Sequence, residues 1–309
     1  MNATASGTPQ GHLGTPRPPA RRASARALAE LVRAPAALTV PGDVLVGASA
    51  AGWPYGVRAS GGLAAASVLL YWGGMALNDY ADREVDAVER PGRPIPSGRV
   101  SPRAALATAA ALTAAGLGVA GAAGGRRALG TALPLAAAVW AYDLALKDTP
   151  LGPPAMAAAR GLDVLLAAGP RGRRAAAPAA AAVAAHTGIV MALSRREAEG
   201  SSHALPEATL AATAALAAGV AAAPGARGRH RATAAALLCV YGRTFGGAQF
   251  AAIRKPDPRR LQRAVGAGIL GVIPLQAALA GRAGATRAAL PLLAALPLAR
   301  RLSRKVSPT

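Results

Sequence analysis

Residues 61–86 read GGLAAASVLLYWGGMALNDYADREVD. Residues 61–79 form an apolar run close to the ~20 residues that cross a bilayer core of about 30 Å. Its end runs straight into carboxylates: Asp79, Asp82, Glu84 and Asp86, with Glu89 just beyond. An uncharged span that opens onto an acidic cluster reads as a membrane helix with a polar mouth, not as the core helix of a water-soluble domain.

The same pattern repeats outward from this stretch. Apolar runs lie near 28–52, 104–123, 128–146, 152–169, 175–194, 206–224, 232–252 and 263–281, and a tenth, shorter run lies at 286–300. Backbone groups in lipid must be satisfied within their own segment, so helix is the expected conformation. The predicted fold is therefore all-α, a polytopic membrane bundle of about nine transmembrane helices. Pro41, Pro134, Pro153, Pro154 and Pro274 fall in or at the ends of spans, where they start or kink helices. Alanine and glycine dominate the runs and allow close helix approach. Residues 1–27, rich in Pro, Arg, Ser, Gly and Thr, read as a disordered cytoplasmic tail. Residues 28–301 form the transmembrane domain, and 302–309 a basic C-terminal tail.

Composition agrees. Of the 309 residues 52% are hydrophobic and 16% charged, against about 25% charged in an ordinary soluble domain. The net charge of +21 does not indicate nucleic acid, because many arginines flank apolar runs and aromatics make up only 3%, too few for base stacking. Cys239, the single cysteine, excludes an intramolecular disulfide and reads as a small core residue. His12, His186, His203 and His230 have no ligand spacing.

Charge also assigns the sides. The tail and the loops at 80–103, 147, 195–205 and 254–263 carry Lys and Arg in excess over the opposite loops by about two to one, which places them in the cytoplasm. The acids are more lopsided. The chain has 14, and the loops opposite contain none. The chain is thus expected to be a multi-pass plasma-membrane protein with its N-terminus and its active site on the cytoplasmic side.

The acidic face carries the chemistry. Asn78, Asp82 and Asp86 are spaced i, i+4, i+8, which puts them on one side of a helix. Stacked carboxylates repel unless a cation lies between them, and Mg²⁺, which takes one or two carboxylates, waters and substrate phosphates, suits the site. A helix-end pair of Asp79 with Arg83 is the plainer reading. Residues 89–101 follow as a loop fixed by proline and glycine, from which Arg90, Arg93 and Arg99 can fold over an anion. Within the spans, Arg160 and Asp163 are expected to pair at i, i+3, Asp43 and Arg243 stand alone, and Tyr142 and Asp143 line the cavity.

These segments resemble the UbiA superfamily of intramembrane prenyltransferases. The family's first motif, Asn-x-x-x-Asp-x-x-x-Asp, is matched by Asn78, Asp82 and Asp86, and its Arg-Pro-x-Pro-Ser-Gly-Arg-x-Ser loop by 93–101. Leu31-Val32-Arg33 opens the first span as in the family, and Tyr142, Leu146-Lys147 and Gly152 match a later segment whose lysine lies near the diphosphate. The second motif, usually several aspartates, is reduced to Ser194, Glu197 and Ser201 with Glu199 nearby. The form Ser194-Arg195-Arg196-Glu197, with Ile253–Pro258 and the Gly-Ile-Leu-Gly stretch at 268–271, is similar to the divergent EboC-like branch.

The resemblance implies Mg²⁺ held by Asn78, Asp82, Asp86 and Glu197, which also form the catalytic set. It implies diphosphate contacts from Arg33, Arg93, Arg99, Tyr142, Lys147, Arg195 and Arg196. The implied activity is Mg²⁺-dependent prenyl transfer from an allylic prenyl diphosphate to a small, aromatic acceptor in secondary-metabolite or quinone-type biosynthesis. The partners are those two substrates and the lipid bilayer. A non-catalytic carrier or transporter of an amphipathic metabolite is the alternative, motivated by the thinned second motif.

Overall fold

The computed structural model describes residues 24–226 and 228–306, and these contain helices and no strand. Helix α1 (Ala25–Leu31) starts inside the segment expected to be a disordered tail, because the Ser24 hydroxyl accepts from the Ala27 amide at 3.1 Å and caps it. Residues 1–23 of that tail lie outside the described residues. A tight turn, Ala34–Thr39, leads into α2 (Pro41–Ala50). The first expected span is therefore in pieces, with Pro41 opening the deep one.

Next come α3 (Gly56–Ala81), the short α4 (Arg83–Glu89) and α5 (Pro102–Ala141). Straight, a helix as long as α5 would reach about 60 Å, twice a bilayer core. Gly125 prevents this, with φ 62° and ψ −159°, backbone angles open essentially to glycine alone. The chain folds back there, so Trp140 Nε1 donates to Thr113 Oγ1 at 3.1 Å across 27 positions. The two arms of this hairpin are the spans expected at 104–123 and 128–146.

The remaining elements are α6 (Gly152–Leu166), α7 (Gly169–Ser194), α8 (Ala204–Ala222), α9 (Gly228–Tyr241), α10 (Gly247–Arg254), α11 (Pro258–Arg282) and α12 (Thr286–Val306). Among the described residues α3, the α5 hairpin, α7, α8 and α11 are long and apolar enough to cross a membrane, and Ala37–Ala50 and Thr286–Ala299 are shorter apolar helices. Helix α12 runs on into the basic segment expected as the C-terminal tail, as far as Val306; residues 307–309 lie outside the described residues. Cys239 is exposed on α9 and not in the core.

Two packed halves result. Helices α2, α3, α5 and α6 enclose Val44, Leu63, Ala66, Ala128 and Leu166. Helices α7, α9, α11 and α12 enclose Val183, Leu193, Tyr241, Phe245 and Leu275. Lipid tails are as apolar as leucine, so close packing drives association here. At Gly73 an added Cβ would lie 2.8 Å from Thr113 Oγ1, and at Gly116 2.9 Å from Leu70, so α3 and the first arm of α5 meet through glycines. The polar ends of this bundle gather on one face, where Ser201 N donates to Pro256 O at 3.2 Å and His203 Nδ1 lies 2.6 Å from Ile253 O.

A candidate active site at the acidic mouth of the bundle

The acidic cluster is built across a break in the helix. Asp82 has φ −87° and ψ 3° and separates α3 from α4. Asn78, Asp82 and Asp86 are thus not on one uninterrupted helix, as their spacing predicts, although the i, i+4 bonds Asp82 N→Asn78 O (2.9 Å) and Asp86 N→Asp82 O (2.8 Å) keep them in sequence-neighbour register.

Each carboxylate is met by a base from another part of the chain. Arg93 Nη1 binds Asp86 Oδ2 at 2.6 Å and Asp79 Oδ1 at 3.2 Å, and Arg90 Nη1 lies 3.6 Å from Asp86 Oδ1. Arg33 Nη2 donates to Asp79 Oδ1 at 3.1 Å and to Asn78 Oδ1 at 3.3 Å. Lys147 Nζ pairs with Asp82. Asn78 Nδ2 donates to Asp143 Oδ1 at 3.2 Å. Asp79 and Asp86 are almost fully buried, at 4% and 2% exposure; buried charges of this kind persist when paired. The expected Asp79–Arg83 pair does not form. Arg83 instead donates to Glu84 and to the Tyr80 carbonyl, and stacks 4.9 Å over the Tyr80 ring.

A local irregularity aims the lysine and Asp143. Lys147 N donates to Tyr142 O at 2.9 Å, an i to i−5 bond, so 142–146 holds one extra residue per turn. Such widened turns occur often at functional sites. Here the turn sends Asp143 toward Asn78 and Lys147 toward Asp82, while Tyr142 lies within electrostatic reach of Asp82, Asp143 and Arg195.

The second motif contributes less. Glu197 is half-buried; burial lifts its carboxyl above the ordinary range, and the charge of Arg90 pulls it partly back. Glu197 therefore feels the charge of Arg90, the arginine that also lies near Asp86. Arg195 donates to the Thr149 carbonyl on the rim beside Lys147. Arg196 is exposed and turned to Glu199 at 3.2 Å. Arg99 also points away from the cluster, to Glu30, Gly92 O and Ser97, and its hydrogen bond holds the Glu30 carboxyl below its usual value. The structure thus brings Asn78, Asp82, Asp86, Arg33, Arg93 and Lys147 together, and leaves Arg99 and Arg196 outside, while Glu197 is tied to the cluster by the charge of Arg90. Asp79 and Asp143 join the cluster.

The donor set is all oxygen, the preference of Mg²⁺. Among the described residues no three acidic, histidine or cysteine side chains converge on one point. Mg²⁺ needs only one or two carboxylates when phosphate and water complete its shell, so Asn78, Asp82 and Asp86 fit it.

The UbiA prenyltransferase family model matches residues 39–270. The chain belongs to the UbiA prenyltransferase family. This UbiA family member is 62% identical over 56 residues to digeranylgeranylglyceryl phosphate synthase from Methanothrix thermoacetophila, a match covering 18% of this chain and 21% of that one. The chain thus spans about a fifth of the length of that curated relative. Among the solved structures that share the fold are two UbiA homologues. One is a UbiA homologue from Aeropyrum pernix K1 in the apo state, with TM-score 0.57, 22% identity and coverage of 78% of this chain and 96% of that one. The other is a UbiA homologue from Archaeoglobus fulgidus bound to GPP and Mg²⁺, with TM-score 0.51, 14% identity and coverage of 82% and 99%.

Proposed function

We propose that this UbiA family member is a Mg²⁺-dependent intramembrane prenyltransferase whose active site opens on the cytoplasmic face of the plasma membrane. It takes an allylic prenyl diphosphate as donor. The observation that carries the reading is the set of bases already standing against Asp79, Asp82 and Asp86: Arg33, Arg93 and Lys147.

Asn78, Asp82 and Asp86 are the residues that would hold Mg²⁺, with Glu197 beyond them, and the ion supplies charge neutralisation on the leaving diphosphate. Arg33, Arg93 and Lys147 turn from their carboxylates toward phosphate oxygens and stabilise the same developing charge. Tyr142 and Arg195 stand on the rim of this anion site. The apolar bundle below accepts the hydrocarbon chain and keeps water from the allylic cation. The acceptor is a small molecule. The family resemblance favours an aromatic ring, and the name of the Methanothrix relative favours a glyceryl phosphate.

The test is Mg²⁺-dependent pyrophosphate release by purified membranes offered a panel of prenyl diphosphates with phenolic and glyceryl phosphate acceptors. Asp82→Ala and Asp86→Ala are expected to abolish release, and chelation of Mg²⁺ to do the same. Full turnover in both variants overturns the reading. The carrier alternative rests on Ser194 and Ser201 standing where the second motif usually offers carboxylates; binding of prenyl diphosphate with no release in any combination is its signature.

A further inference from the structure

The buried acids within the spans have partners in the chain. Arg160 Nη2 lies 2.9 Å from Asp43 Oδ2 rather than pairing with Asp163 as expected, and Ser67 Oγ donates to Asp163 at 2.6 Å. The bases at the start of α11 are different. Lys255, Asp257, Arg259, Arg260 and Arg263 line a cavity of about 290 Å³, four bases around one acid. Asp257 is committed to Arg260, accepting from its amide at 2.8 Å and from its guanidinium at 2.6 Å. Among the described residues the side chains of Arg259 and Arg263 have neither an ion pair nor a hydrogen-bond partner. All 14 acidic residues of the chain lie among the described ones, so no carboxylate side chain of this protein meets the two arginines.

The cavity stands on a fixed backbone. Pro256 and Pro258 flank Asp257, which caps α11 with φ −78° and ψ 160°. The loop is tied to the one before α8 by the bonds of Ser201 to Pro256 O and of His203 to Ile253 O. A Cβ at Gly200 would stand 3.1 Å from Pro256 O, so the two loops meet closely. Bases that project from a loop held in this way lose less freedom when they grip an anion.

Below the cavity one face of α11 stays open. Arg259, Arg263, Gly266 and Ile269 are all exposed, and their spacing of i, i+4, i+7, i+10 puts them on one side of the helix. A Cβ at Gly266 would meet nothing within 4 Å, so the strip has an open notch beneath its arginines. From Gly271 to Gly281 every residue is buried. The open strip from Arg259 to Ile269 is therefore about 15 Å long, half of a bilayer core of about 30 Å, or the depth of one leaflet.

A cavity of bases at the end of a membrane helix, with an apolar strip one leaflet deep beneath it, fits one class of occupant. A soluble anion uses the bases and leaves the strip bare. A zwitterionic lipid brings a cation of its own to a cavity where bases already outnumber acids. We infer that Lys255, Arg259 and Arg263 bind the phosphate of an anionic phospholipid, one acyl chain of which lies over Gly266 and Ile269. The guanidiniums match phosphate oxygens in pairs, and the lysine adds a point charge. The site uses none of the residues of the acidic mouth and does not depend on prenyl transfer.

The experiment follows thermal unfolding of the full chain in detergent as dioleoyl phosphatidylglycerol, dioleoyl phosphatidylcholine or inorganic phosphate is added. A ligand of the folded state raises the midpoint by mass action, and phosphatidylglycerol is expected to raise it about twice as far as phosphatidylcholine or more, with no rise from inorganic phosphate. An Arg259→Gln, Arg263→Gln double variant should weaken phosphatidylglycerol roughly thirtyfold, at about fivefold for each base facing an anionic lipid. Should it fail to fold, Lys255→Gln gives a second reading of the same site, with a loss of about fivefold. An Arg126→Gln, Arg127→Gln variant gives up the same charge at the bend of the α5 hairpin and is expected to stay within about twofold of the parent, distant charges being screened. Equal shifts for the two lipids, a shift with inorganic phosphate to match the lipid's, or equal losses in the two double variants each overturn the inference.

Discussion

Arg33 is held with φ 46° and ψ 49°, in the left-handed region, which costs a side-chain-bearing residue about 1–2 kcal/mol. The strain persists because this backbone sends one guanidinium to both Asn78 and Asp79. Arg33→Lys keeps the charge and loses the fork, and is expected to weaken geranyl diphosphate binding by about tenfold or more, a charged hydrogen bond being worth roughly 1.5–3 kcal/mol; titration calorimetry with Mg²⁺ checks this. Gly42→Ala forces the Gln276 amide off Asp43 and should cost about 1–3 kcal/mol of stability, as overpacking does, read as a lower unfolding midpoint. Glu197 gives a pH signature. Burial raises its folded-state value above its unfolded one, so the folded state holds the proton more tightly. The resulting penalty is absent in acid and sets in as pH rises past the ordinary carboxylate range. Glu197→Gln should therefore gain stability over the parent between about pH 4 and about pH 7. Unfolding midpoints of both proteins at the two ends of that range test the sign.

At the scale of elements, the widened turn at 142–146 is the device that faces Lys147 toward Asp82. Deleting Ala145 restores an ordinary helix and rotates Lys147 by about 100°. Mg²⁺-dependent binding of prenyl diphosphate is expected to fall about as far as in Lys147→Ala, with the helix content by circular dichroism unchanged. The spans, and the motifs at their ends, were legible in the sequence because each is a local pattern: an apolar run, a four-residue spacing, a proline. The Gly125 fold-back is local too, and it parts the spans expected at 104–123 and 128–146. Ion partners were not legible. Asp79 chooses Arg33 and Arg93 over Arg83, and Arg160 chooses Asp43 over Asp163, because the choice depends on which helices meet. Spacing within one helix does not contain that information. The break at Asp82 had no sequence signal, since no glycine or proline marks it.

For the whole molecule, the loops divide into a set that mixes acids with bases and a set that carries bases alone. All the acids of the loops stand at one end, with the site. In the orientation proposed above, a cysteine at Ser97 should react with a membrane-impermeant maleimide only in inverted vesicles, and one at Arg174 only in right-side-out cells, with Cys239 replaced by serine in both. The reverse pattern overturns the orientation. The bend of the α5 hairpin carries a further consequence. Arg126 and Arg127 follow Gly125 directly, so with the N-terminus inside, two positive charges must be carried outward as the nascent pair of arms enters the membrane. A potential negative inside opposes that passage by about 2.3 kcal/mol per charge for each 100 mV. Biogenesis of this protein should thus quicken when an ionophore collapses the potential, and an Arg126→Gln, Arg127→Gln double variant should insert at a rate indifferent to it.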